Sequence, residues 1–150
     1  MDYEDNSFEQ RPYNKWVPNG QPQTANGLHV IELDRRLGNR GVHAYAVHPG
    51  LIQTELSRHM DQADFDMIIS RSGGNLKTKT VAAGAATSVY AATASELERP
   101  GGLYLYDCRI AKVNDDVFVL DCVRSYALDP EAAGKPWSVS EKMVGQRFKL

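Results

Sequence analysis

Apolar residues along the chain alternate between helical spacing and short unbroken runs, the pattern of helices interleaved with buried strands. Leu28, Val30, Ile31, Leu33 and Leu37 fall broadly at helical spacing, with Gly38 and Gly41 beyond them, which predicts a first helix over 24–37. Residues 42–47 form a short apolar run closed by Pro49-Gly50, the pattern of a strand covered on both faces, as in parallel sheets. One or two short helices are expected over 54–69, and a loop over 71–76, where Gly73 and Gly74 stand. Between Thr80 and Leu97, Ala83, Thr87, Tyr90, Ala94 and Leu97 are separated by steps of four and three, which marks one face of a helix. Pro100-Gly101-Gly102 ends it, a second strand is expected over 103–110, and a third over 117–123 that could turn back through Asn114-Asp115-Asp116. Asp129-Pro130 reads as the start of a short helix and Ser138 with Glu141 as the capping box of a last one, with Pro136 holding the two apart.

Strand 42–47, helix 80–97 and strand 103–110 together have the length of a strand-helix-strand unit, whose strands run parallel through a right-handed crossover. The fold class is therefore α/β, a partial Rossmann-like fold in one domain, with residues 1–18 as an irregular arm in which Tyr13 and Trp16 could pack. A sheet of two or three strands is marginal alone, and the outer edge of 42–47 would be unpaired. A second copy of the chain is the simplest cover for it, so a homo-oligomer is expected.

Composition narrows the partners. The chain has 150 residues, 42% of them hydrophobic, and 17 basic against 19 acidic side chains give a net charge of −2. No run of like charge would draw nucleic acid or anionic lipid, and no apolar stretch approaches the ~20 residues of a membrane span. Neither nucleic acid nor membrane is expected as a partner, and the polar start MDYEDNSFEQ favours a cytoplasmic protein over a secreted one. Cys108 and Cys122 lack metal-ligand spacing and read as buried free thiols. His29, His43, His48 and His59 have no carboxylate or cysteine at metal spacing, so no metal is expected. Ser57-Arg58-His59 is no nucleophile-base pair, because adjacent residues on a helix point in different directions.

The segment WVPNGQPQTANGLHVIELDRRLGNR at 16–40, followed by VHAYAVHPGLIQTEL at 42–56, resembles the retinol-dehydrogenase-like branch of the short-chain dehydrogenases/reductases. So do GAATSVYAATASELERPGGLYLYDC and YALDPEAAGKPWSVSEKMVGQRF, in order, and together these blocks correspond to the family's C-terminal half. The resemblance implies oxidoreductase ancestry and NAD(P) as the family cofactor. It also places Asn19 and Gln23 where the family has its catalytic tyrosine and lysine, since PNGQPQTAN stands where the branch reads roughly AYGQSKTAN.

That exchange removes the family's chemistry. The tyrosine hydroxyl acts as general acid/base and a cation one helical turn later favours its phenolate; an amide at 19 exchanges no proton usefully, and Gln23 brings no charge. General acid/base catalysis contributes roughly 10²- to 10⁴-fold. Pro22 further biases Gln21 away from helical angles, so the turn holding 19 and 23 is expected to depart from a helix. Ser72-Gly73-Gly74 and Pro100-Gly101-Gly102 follow helical segments without the G-x-G-x-x-G spacing of a dinucleotide cradle and read as loop punctuation.

The family turn that contacts the nicotinamide corresponds here to 49–54, making Pro49, Gly50, Ile52 and Thr54 vestigial cofactor-binding residues. A strand terminator followed by Thr54 as a helix cap accounts for the same residues. Three functions stay open: a degenerate relative without hydride transfer, a non-redox isomerase, dehydratase or cyclase acting on a small apolar ligand, and a regulatory subunit of a full-length dehydrogenase.

Overall fold

The computed structural model describes residues 2–74 and 76–150, and of Asn19 the backbone alone. Its principal elements are α1 (Val17–Leu37), β1 (Tyr45–His48), α2 (Gln62–Arg71), α3 (Val81–Thr93), β2 (Leu103–Tyr106), β3 (Lys112–Val113), β4 (Cys122–Val123) and α4 (Gly134–Val144). β1 pairs with β2 and β3 with β4, two short parallel sheets that make a partial α/β Rossmann-like fold. Two compact units interleave along the sequence: Met1–Ala46, Glu98–Leu103 and Ser125–Leu150 form the first, Val47–Leu97 and Tyr104–Arg124 the second.

In the first unit α1 begins at Val17, well before the 24–37 anticipated, and runs through Pro22 without a break. Proline at 22 removes one backbone N–H and crowds the carbonyl of Pro18. Both positions lie near the exposed start of the helix, where Pro18 sits among the first residues and presets helical angles. The departure from helix expected over 19–23 does not occur. Further along, Leu28 and Glu32 are almost wholly buried where α1 meets α4 and the 3₁₀ turn Ser125–Leu128. Gly27 makes that approach possible, since a Cβ there would lie 2.7 Å from the carbonyl oxygen of Ala127.

Residues 2–16 hold no helix or strand, yet they are organised around the buried Asp5. Its carboxylate accepts from the amides of Glu9 (2.7 Å) and Gln10 (3.2 Å), and Arg11 folds back over the Phe8 ring at 4.2 Å. Near the other end of the unit, Pro136 does not separate two helices. It lies in the first turn of α4, where a proline costs nothing, and residues 129–133 form turns that include Asp129 accepting from the Glu131 amide (2.9 Å). The capping box anticipated at Ser138 is absent, because Ser138 is already inside α4 and donates to the Gly134 carbonyl (3.0 Å).

In the second unit α2 opens on a capping box made by Asp61 and Asp64, and α3 opens on Thr80, whose hydroxyl accepts from the Ala83 amide. α3 buries Gly84 and Thr87, with Leu97 covered in the 3₁₀ turn that follows. The strand expected over 103–110 is shorter. Tyr106 and Arg109 exchange both backbone hydrogen bonds across Asp107 and Cys108, whose φ values of 54° and 53° make a primed two-residue turn. That turn brings Ile110 back antiparallel to Leu105, which is fully buried. Of the third strand anticipated over 117–123 only Cys122 and Val123 pair, parallel to Lys112 and Val113. Residues 114–121 instead wrap Arg124, whose guanidinium donates to the carbonyls of Asn114 (2.6 Å), Asp116 (2.5 Å) and Val119 (2.9 Å). Both cysteines are unbridged, but Cys108, placed at the tip of the turn, is exposed and Cys122 half-buried, contrary to the expectation that both are buried.

Candidate functional site

Continuous helix through 17–37 puts positions 19 and 23 one turn apart on α1, the spacing a tyrosine-lysine pair would need. Gln23 is exposed; the side chain of Asn19 lies outside the described residues. The arm is tied to this turn by the Asp2 amide, which donates to Gln21 Oε1 at 2.7 Å. Beside it opens a cleft of about 610 Å³ lined by Asp2, Tyr3, Glu4, Arg11, Val17, Gln21 and Lys135. Within it Arg11 Nη1 meets Asp2 Oδ2 at 3.0 Å, and Lys135 Nζ stands 4.8 Å from the centre of the Tyr3 ring. The amides of Glu4 and Asp5 hold the Asp2 carboxyl below the usual range, and burial pushes the Tyr3 phenol up. A composition-level reading of the arm misses this order. The available signal was Asp5 standing four, five and six residues before Glu9, Gln10 and Arg11.

The second unit contains the turn 49–54. Gly50 has φ +88°, a region glycine enters without strain, and its amide donates to Nδ1 of His48 at 3.0 Å. A Cβ at Gly50 would lie 3.0–3.1 Å from Cδ, Cε and Nζ of Lys79. The Lys79 amide donates to the Leu51 carbonyl (2.8 Å), Ile52 bridges Lys79, and a Cβ at Gly84 would lie 2.0 Å from Ile52 Cδ1. Thr54 caps the following 3₁₀ turn, its Oγ1 accepting from the Leu56 amide (3.3 Å). Pro49 is exposed, so this segment ends β1 and starts the next turn as the structural alternative requires. His48 lies between Tyr104 and Tyr106, ring centres 6.4 and 5.2 Å away, and Lys79 Nζ pairs with Asp107 Oδ1 at 2.5 Å. Burial, then the Lys79 ammonium, holds the imidazole below its ordinary pKa; the hydrogen bond from Lys79 holds Asp107 low. Burial raises Tyr104.

Neither glycine pair fits a pyrophosphate. Gly73 and Gly74 donate their amides to Ser70 (3.2 Å) and Ile69 (2.9 Å), closing the C-terminal end of α2, the negative pole of its dipole. Gly101 packs against the Asp34 carboxylate, which would repel a phosphate rather than hold one. Neither of these two glycine pairs offers the free helix N-terminus that an NAD(P) phosphate bridge would need. Among the histidines, His29 stacks on Trp137 at 5.0 Å and His43 Nδ1 meets Asp34 Oδ1 at 2.8 Å. Ser57 Oγ donates to the Thr54 carbonyl (2.9 Å), which leaves Ser57-Arg58-His59 as a capped turn. Among the described residues no three His, Cys, Asp or Glu side chains gather as a metal site, and no helix is long and apolar enough to cross a membrane.

No protein-family model matches the chain. Curated relatives do. The chain is 35% identical over 141 residues to the short-chain dehydrogenase/reductase prx1 of Penicillium roqueforti, covering 93% of this chain and 42% of that protein. It is 33% identical over 149 residues to retinol dehydrogenase 14 of Mus musculus, covering 97% and 40%, and 36% identical over 134 residues to oxidoreductase calI of Penicillium decumbens, covering 82% and 38%. A crystal structure of an uncharacterised protein from Mycobacterium paratuberculosis superposes on all of this chain and 47% of its own, with TM-score 0.60 and 25% identity. The chain thus spans less than half the length of each of these proteins.

Proposed function

Because the chain belongs to the short-chain dehydrogenase/reductase family, of which it spans only a part, we propose that it is a degenerate relative, an oxidoreductase by ancestry that does not carry out NAD(P)-dependent hydride transfer by itself. One observation carries this reading. Positions 19 and 23 keep the helical spacing of the family's tyrosine and lysine on α1 but hold two amides, Asn19 and Gln23. The scaffold for general acid/base catalysis persists without a group that can shuttle a proton near neutral pH, a loss of roughly 10²- to 10⁴-fold, or about 3–5 kcal/mol of barrier. The engagement of both glycine pairs in capping and close packing supports the same reading on the cofactor side.

Titrating NADH and NADPH against the purified chain tests it. Nicotinamide fluorescence should change linearly through submillimolar concentrations, with no alcohol-dependent reduction of NAD⁺ or NADP⁺. A saturable quench, or turnover, would overturn the proposal.

A homo-oligomer accompanies this reading. β1 has β2 on one side only among the described residues, and an open edge is a template for another strand. Multi-angle light scattering should give a discrete dimer; a monomer that co-purifies with a longer dehydrogenase would favour a regulatory subunit instead. A cytoplasmic location goes with it, resting on the mixed-charge composition, and cell fractionation checks it.

A further inference from the structure

His48 is poised to do something that neither the ancestral chemistry nor its loss requires. Its Nδ1 accepts the Gly50 N–H at 3.0 Å, so that nitrogen bears a lone pair and the proton of the neutral ring sits on Nε2. Gly50 takes φ +88° immediately after β1 ends. Lys79 closes the arrangement from the other side: its stem lies against Gly50, its amide holds Leu51, and its ammonium reaches Asp107 at the tip of the turn after β2. Three segments distant in sequence therefore converge on one small turn.

We propose that His48 is a proton-operated latch on the Pro49-Gly50 turn, closed while the imidazole is neutral and released when Nδ1 takes up a proton. Protonation turns the atom that accepts the Gly50 N–H into a second donor, so an attraction becomes a repulsion at hydrogen-bond distance. Among the described residues no carboxylate acts on the ring to compensate. The groups facing it are the Lys79 ammonium from the segment bridged to Ile52 and the Tyr104 and Tyr106 rings of β2, while Asp107 is engaged by Lys79. Cys122 is close enough to act electrostatically on Tyr104, and Arg109 is a second cation near Tyr106, 5.9 Å from its ring centre. Because burial and Lys79 both disfavour the imidazolium, the folded pKa is depressed. Stability from the latch is full above the ordinary histidine value of about 6.5 and is lost as pH falls from there to the lower folded value.

An NMR pH titration of the intact ¹⁵N-labelled chain tests the latch. At pH 7.5 the His48 ring should show an unprotonated Nδ1 and a protonated Nε2, with a midpoint below the ordinary histidine value of about 6.5. The Gly50 amide should shift and exchange faster with the same midpoint as His48. In Lys79→Met, which keeps an unbranched stem without charge, the His48 midpoint should rise. In His48→Asn, whose Oδ1 can accept the same N–H without titrating, the Gly50 amide should lose its acid transition. An Nδ1–H tautomer, a Gly50 amide indifferent to the His48 midpoint, or an unchanged Gly50 transition in His48→Asn would each overturn the proposal, and the first two need no variant to fold.

Discussion

Gly101 passes so close to Asp34 that a Cβ at position 101 would stand 1.8 Å from Asp34 Oδ1 and 2.8 Å from His43 Cβ. The same Oδ1 meets His43 Nδ1 at 2.8 Å, so the missing side chain at 101 is what lets the end of α1 be tied to the residues leading into β1. Gly101→Ala should therefore displace the Asp34–His43 pair and destabilise the chain by about 1–3 kcal/mol. Urea denaturation followed by circular dichroism reads the loss, and an unchanged midpoint would refute it.

Gly27 makes a different kind of approach, because the atom it faces is the backbone carbonyl of Ala127, which cannot rotate aside. Gly27→Ala gains helix propensity of about 1 kcal/mol, yet it must push α1 off the 3₁₀ turn Ser125–Leu128. A net drop in thermal midpoint is the expected outcome; a rise would mean that the contact yields more easily than the helix gains.

Glu32 is 1% exposed and accepts from Arg35 Nε (2.7 Å), Arg35 Nη2 (2.6 Å) and Arg36 Nε (2.7 Å). These bonds, Arg35 first, hold its carboxyl below the ordinary value of 4.5. A depressed folded pKa contributes stability above the unfolded value that is lost as pH falls through the folded one. Glu32→Gln should cost about 2 kcal/mol at neutral pH and flatten the fall in stability below pH 4.5, as chemical denaturation at several pH values would show.

Arg124 holds residues 114–121 in the space where a third strand was anticipated, and Cys122 Sγ lies within 3.4 Å of its Nη1. Arg124→Met keeps much of the stem but removes the guanidinium from the carbonyls of Asn114, Asp116 and Val119, which keep only Cys122 Sγ and the Val119 amide as donors among the described residues. A loss of about 2 kcal/mol is expected, with faster labelling of Cys122 by a thiol reagent. Measuring this in a Cys108→Ser background removes the exposed thiol from the readout.

The readable parts of the chain were those whose cause is local. Thr80 caps α3 and the four-three spacing marks Thr87, which is buried, because both effects act within a few residues; Ala83 on that face is exposed, and Leu97 is buried beyond the end of the helix, in the following 3₁₀ turn. Gly73 and Gly74 close a helix for the same reason. The proposed site was legible as chemistry: where the resemblance places the family's tyrosine and lysine, Asn19 and Gln23 are amides whatever the backbone does. Misread features shared a different cause. Proline rules discouraged helix at 22 and placed a helix boundary at 136. The burial of Leu28 and Glu32 against other segments favours α1 as a whole, and position 136 falls in a first turn that tolerates the ring.

The residues alone thus determined the alternation of helix and strand, the α/β class and the two amides at 19 and 23, since these depend on side-chain identity and on spacing along one segment. Only the tertiary structure decided that the arm is ordered about Asp5, that 114–121 wraps a guanidinium instead of extending, and that His48, Gly50 and Lys79 share one turn. Each of those outcomes rests on a hydrogen bond or close contact fixed by the path of the folded chain, which no window of sequence contains.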